Sequence, residues 1–126
     1  IQQFLDNFPL SEHKDEAYQM IQDLRNRISK KYFETARLYL KMKKYNSAFY
    51  YLDLVLSDYY DTKYSDEAKI TYIFTYILMN NHDEARKYFD INKENFKNEK
   101  KLKEAENLLI QYKDRLGFSG YFRLYK

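Results

Sequence analysis

Residues 36–55 read Ala36-Arg37-Leu38-Tyr39-Leu40-Lys41-Met42-Lys43-Lys44-Tyr45-Asn46-Ser47-Ala48-Phe49-Tyr50-Tyr51-Leu52-Asp53-Leu54-Val55, with neither glycine nor proline. Ala36 is followed three residues later by Tyr39, and Ala48 is followed four and seven residues later by Leu52 and Val55. Residues three and four apart share a helix face, so the stretch reads as two helices joined by a short connection near Lys44. The run Tyr45-Asn46-Ser47-Ala48-Phe49-Tyr50-Tyr51-Leu52 returns as His82-Asp83-Glu84-Ala85-Arg86-Lys87-Tyr88-Phe89, 37 residues further on.

A second echo relates Ser11-Glu12-His13-Lys14-Asp15-Glu16-Ala17 to Thr62-Lys63-Tyr64-Ser65-Asp66-Glu67-Ala68. Each copy offers a hydroxyl or acid as N-cap before an apolar-periodic run. An offset near the ~34 residues of a tetratricopeptide (TPR) repeat invites that pattern as a test. Ala36, Tyr39, Ala48, Leu52 and Val55 fill its positions, with Tyr60 where its closing proline usually stands. Tyr76, Ala85 and Phe89 begin a further repeat that decays into Asn92 and Lys97. The periodicity predicts helices at about 1–8, 12–43, 45–59, 65–80, 82–91 and 98–116. The second keeps an apolar stripe (Tyr18, Ile21, Leu24, Ile28, Tyr32, Ala36, Tyr39) and is longer than the repeat requires. It should overhang its partner by about four turns, ~21 Å, and pack on the preceding repeat. The expected fold is all-α: a TPR-like α-solenoid of antiparallel helix pairs with one extended helix. One domain spans 1–126, divided into the end of a truncated repeat (1–11), a long-helix repeat (12–62), a second repeat (63–97) and a capping helix with tail (98–126). The last helix carries Leu102, Ala105, Leu108, Leu109, Tyr112 and Leu116 on one face, with Gly117 as C-cap.

Composition agrees. Two glycines and one proline in 126 residues leave little material for turns and strand-linking loops. The absence of cysteine excludes disulfides, thiolate metal sites and a cysteine nucleophile. Charged residues make up 33%, mean hydropathy is −0.84, and no apolar run approaches the ~20 residues of a membrane span. The sequence opens at Ile1 in what reads as mid-helix, as a fragment would, so any targeting segment or lipid anchor would lie upstream and is not legible in this stretch. The net charge of +3 is unevenly laid out. Residues 25–44 hold eight basic groups and one acid, a local +7, whereas residues 45–92 balance to −4.

The residues Leu24-Arg25-Asn26-Arg27-Ile28-Ser29-Lys30, the run from Ala36 to Leu40, Lys44-Tyr45 through Ala48, and Val55-Leu56-Ser57-Asp58-Tyr59-Tyr60-Asp61-Thr62 resemble the long-helix signature of the BamD family. These are the TPR lipoproteins of the outer-membrane β-barrel assembly machine. The family pattern is roughly L-x-D-R-L-A, then A-x-Y-Y, then a helix ending Y-P-D-T. The resemblance covers about residues 1–90 and corresponds to a divergent member's later repeats. It implies a periplasmic protein held at the inner leaflet of the outer membrane by a lipid upstream of this sequence. Its implied partners are the barrel-forming subunit, through that subunit's POTRA domain, and unfolded outer-membrane proteins. Asn26 stands in place of an acid, Tyr60 in place of proline, and Tyr51 where the family has an arginine at the POTRA contact.

Neither histidine suggests chemistry. His13 and His82 sit near helix starts without the further ligands a zinc site needs, and surface or capping roles are expected. No nucleophile elbow or glycine-rich phosphate loop occurs. Asp15-Glu16 and Asp66-Glu67 fall in first helical turns, where acids suit the macrodipole. No enzyme, metal or cofactor is therefore expected. The basic stretch is the candidate partner surface. In a TPR stack the first helices line a concave groove. Lys30, Phe33, Arg37, Leu40 and Lys41, followed by Ile70, Phe74 and Ile77, should face it. The expected partner-binding residues are Arg27, Lys30, Phe33, Arg37, Lys41 and Phe74, with Tyr51 added by the resemblance. Nucleic acid is disfavoured because acidic helices flank the basic stretch and the isoelectric point of about 8.8 is short of strongly basic. A generic TPR adaptor for peptide segments is the alternative. For the aromatic tail (Phe118, Tyr121, Phe122, Tyr125) the sequence leaves the last helix, a partner or a lipid surface open.

Overall fold

The structure, a computed structural model, describes residues 11–112, and side chains from residue 14 onward. It contains α1 (Ser11–Lys41), α2 (Tyr45–Asp58), α3 (Tyr64–Leu78), α4 (His82–Asn92) and α5 (Glu99–Gln111), with a 3-10 turn at Lys93–Asn95. No strand occurs among the described residues. The expected first helix, the Gly117 cap and the tail lie outside them. Each helix packs on the next, and α3 also touches α1 and α5. This is the expected all-α, TPR-like stack of helix pairs.

One alanine per helix marks the crossings: Ala36, Ala48, Ala68, Ala85 and Ala105 are all fully buried. A methyl at the contact lets neighbouring backbones approach closely, and larger residues fill the space around it. Phe33, Leu52 and Val55 join α1, α2 and α3 around Ala36 and Ala68. Ile73, Ile77, Phe89 and Leu109 join α3, α4 and α5 around Ala85 and Ala105. Burying each such large apolar side chain contributes about 1.5–3 kcal/mol.

The 31 residues of α1 span ~46 Å against ~21 Å for the 14 of α2. Contacts from α2 and the loop behind it reach α1 at Arg25, Ser29, Tyr32 and Tyr39. The turns before Arg25 extend beyond α2. Tyr18, in that overhang, is 50% exposed, and Leu24, expected on the same apolar stripe, is 55% exposed because it turns toward the outer flank of α1.

Helix ends show what glycine scarcity does to the chain. α1 stops at Lys41, not 43, because Lys43 turns to φ 60° while Lys44 N–H bonds the Tyr39 carbonyl at 2.9 Å. α3 stops at Leu78, not 80, by the same device: Asn80 has φ 62° and Asn81 N–H reaches the Tyr76 carbonyl at 2.8 Å. Both are left-handed C-caps made without glycine. The expected hydroxyl N-cap of α3 is absent, since Lys63 holds the cap position without a side-chain bond. Thr62 and Ser65 are engaged elsewhere.

Two latches fix the connections. Arg25 Nη2 donates to the Asp58 carbonyl at 2.7 Å and to Asp61 Oδ1 at 2.6 Å, with its guanidinium 5.0 Å from the Tyr59 ring centroid. Beneath it, the Ser29 and Thr62 hydroxyls share a buried hydrogen bond of 2.8 Å. The Tyr59-Tyr60-Asp61-Thr62 run is thus the part of the chain that ties α2 back to the long helix. The second latch is Asp66. Its buried carboxylate accepts from the backbone N–H groups of Lys97 (3.0 Å) and Asn98 (2.9 Å) and from Lys69 Nζ (3.3 Å). Lys69 Nζ also donates to Ser65 Oγ at 3.1 Å and the Asn95 carbonyl at 3.0 Å. Together they pin the 3-10 turn to the start of α3 and so set α5 alongside it.

Candidate protein-docking surface

Because odd-numbered helices of the stack run parallel, α1, α3 and α5 lie side by side and form a groove of about 290 Å³. Its apolar lining is Phe33 and Leu40 from α1, Ile70 and Phe74 from α3, and Leu108 from α5. Its charges are divided between sides. Arg37 rises from α1, with its guanidinium 6.0 Å from the Phe33 ring centroid. Glu67 and Glu104 stand on the α3 and α5 side, bridged by Lys101, which pairs with Glu67 and lies 3.5 Å from Glu104. The hydrogen bond to Glu67 holds the Lys101 ammonium above its ordinary range, with the charge of Glu104 adding to it.

The residues expected at a partner surface separate into four places. Phe33, Arg37 and Phe74 come together in the groove, with Leu40 and Ile70. Arg27 and Lys30 instead line a shallow hollow of about 400 Å³ on the outer flank of α1, with Lys31, Glu34, Thr35 and Leu38. Lys41 is exposed in the last turn of α1, where a cation suits the helix dipole. Tyr51 is half-buried in the α1–α2 interface, stacked on Tyr39 at 5.6 Å and edge-on to Tyr50 at 5.2 Å. Ile77, expected beside Phe74, is fully buried among α3, α4 and α5 because its angular position turns it toward Ala85 and Leu109. Glu67, Thr71, Glu104 and Leu108 belong to the groove although sequence reading passed over them. Glu67, Ile70/Thr71 and Phe74 share one helical row, a signal that was available. Nothing local to 99–111 announces that α5 closes the groove.

His82 Nε2 lies 3.2 Å from the Leu109 carbonyl, tying the start of α4 to the end of α5. Among the described residues no three His, Cys, Asp or Glu side chains gather as a metal site would require. No helix among them is long and apolar enough to cross a membrane.

Comparison with known proteins adds an independent line. A family model described as an outer membrane lipoprotein, YfiO, matches residues 1–91. No match was found among curated proteins or solved structures. The matched span covers α1, the Arg25–Asp61 latch, α2, α3 and nearly all of α4, so the chain belongs to the YfiO family of BamD-like outer membrane lipoproteins.

Proposed function

We propose that the chain is a non-catalytic scaffold of outer-membrane protein assembly, a divergent family member whose described part corresponds to the later repeats. It works in the periplasm, held at the inner leaflet of the outer membrane by a lipid anchor upstream of this sequence. Its partners are the POTRA-containing barrel-forming subunit and extended segments of unfolded outer-membrane proteins. The family match over residues 1–91 carries this reading. The groove supports it, since an apolar floor flanked by Arg37 on one side and Glu67 and Glu104 on the other suits an extended polypeptide. Apolar contacts supply affinity there, and charges steer encounter and fix register. Residues 12–62 and 63–97 act as two repeats, followed by a capping helix and tail over 98–126.

Pull-down from solubilised membranes is expected to recover a POTRA-containing barrel protein, and recovery of cytosolic proteins alone would overturn the proposal. Reversing Arg37 and Lys41 to Glu should weaken partner binding while changing stability by less than about 0.5 kcal/mol, because both are exposed. Unchanged affinity would remove this side of α1 from the binding site. A second reading, a TPR adaptor for peptides unconnected with barrel assembly, draws on α5. That helix completes the groove yet lies beyond the family match.

A further inference from the structure

The outer flank of α1, away from both core and groove, carries exposed apolar side chains. Met20, Leu24, Leu38 and Met42 are 66%, 55%, 56% and 50% exposed. Single exposed apolar residues are ordinary on protein surfaces, but these four are not scattered. At ~100° per residue, Met20, Leu24, Arg27, Lys31, Glu34 and Leu38 fall on one row opposite Ala36, and Met42 continues it just past the helix end. The intervals alternate between four and three, the spacing that keeps a seam facing another helix. The open hollow bounded by Arg27, Lys31, Glu34 and Leu38 sits at the middle of the row.

The row is also self-complementary when reversed. Counting outward from Lys31, Leu24 mirrors Leu38 and Met20 mirrors Met42. Arg27 mirrors the Glu34–Thr35 position, and Asp23 falls beside the mirror of Lys41. Neither Arg27 nor Glu34 is in an ion pair among the described residues.

We propose that this flank docks antiparallel on the same flank of a second copy of the chain, forming a two-fold helix pair centred on Lys31. In that register Leu24 meets Leu38 of the second copy, Met20 meets Met42, and Arg27 faces Glu34, each contact made twice as a two-fold interface requires. A parallel pairing would set Arg27, Lys31 and Glu34 each against its own like charge. The antiparallel one leaves a single such encounter, Lys31 with Lys31, and there the long stems carry the ammonium groups outward. The seam runs ~33 Å from Met20 to Met42. It leaves the groove of each copy open, because the groove lies on another side of α1.

Sedimentation of the full chain over a concentration series is expected to show a monomer–dimer equilibrium. Arg27→Glu or Glu34→Arg alone should raise the dissociation constant about tenfold, since each turns two attractive pairs into repulsive ones. The double charge swap R27E/E34R should restore it, and Lys31→Met should tighten the dimer. The chain has no cysteine, so introduced thiols report register directly. A mixture of Leu24→Cys and Leu38→Cys proteins is expected to form a disulfide-linked heterodimer faster than either forms a homodimer. The substituted side chains are exposed, so circular dichroism should be unchanged. A chain that stays monomeric throughout, a charge swap that fails to restore association, or Leu24→Cys alone cross-linking as readily as the mixture would each overturn the proposal.

Discussion

Lys43 occupies a left-handed conformation, φ 60°, in which Cβ crowds the following carbonyl at a cost of roughly 1–2 kcal/mol. Glycine adopts it without that crowding, so Lys43→Gly is expected to raise unfolding stability by about 1 kcal/mol in chemical denaturation. A loss of stability would mean that the lysine side chain outweighs its backbone strain. Arg25 behaves oppositely. In the sequence it is one of the eight bases of residues 25–44, yet in the fold it turns back on Asp58, Tyr59 and Asp61. Arg25→Ala should cost about 1–2 kcal/mol. The Arg25 hydrogen bond holds the Asp61 carboxyl below its ordinary range. A carboxylate so depressed stabilises the fold above its unfolded pKa, near 4, and the contribution is lost as pH falls through the folded value. Arg25→Ala should therefore flatten the acid limb of a stability–pH curve, and an unchanged limb would show that other carboxylates dominate it.

At the scale of the element, the position of α5 depends on one buried carboxylate. Sequence reading assigned Asp66 to the helix dipole of α3, and it does lie in that first turn. It also accepts from two backbone amides 31 and 32 residues away and pairs with the buried Lys69. Asp66→Ala leaves that ammonium without its counter-charge, and should destabilise by about 3–5 kcal/mol. Amide hydrogen exchange at Lys97 and Asn98 should quicken before exchange within α1 and α2 does. Uniform quickening would instead make the latch part of one cooperative unit. The groove shares this dependence, because Glu104 and Leu108 reach it only through α5. Backbone amides have no sequence signature, so the latch could not be seen before the fold was.

Across the whole molecule, the tyrosine surplus forms a ladder along the stack. Tyr72 and Tyr88 stack at 4.4 Å with 8° between planes, and Phe49 lies 4.6 Å from Tyr72, so α2, α3 and α4 are stitched by rings. Burial first, and the nearby Asp53 carboxylate second, push the Tyr72 phenol above its ordinary range, and burial does the same to Tyr88. The sign follows from proton counting. Above pH about 10 the unfolded chain releases phenolic protons that the folded chain retains, so unfolding becomes easier as pH rises. Stability should be insensitive to these groups below that range and should fall above it, and Tyr72→Phe should reduce the fall. Burial raises the neighbouring Tyr76 in the same direction, so the ultraviolet absorbance of phenolate in the native chain should show Tyr72, Tyr76 and Tyr88 titrating late. Simultaneous titration of every tyrosine would contradict the burial.

The sequence by itself determined the helices, their order and the long first rod, because local periodicity and glycine scarcity act within a few residues of chain. It also marked Ala36, Ala48 and Ala85 as crossing points, and the structure buries all three completely. Which charges face a partner was decided only by the tertiary structure. Arg25, Arg27, Arg37 and Lys41 are alike in composition, yet one is latched to a loop, one faces outward, one borders the groove and one ends a helix. That assignment depends on rotation about the helix axis and on groups far along the chain, and neither is a property of the local sequence.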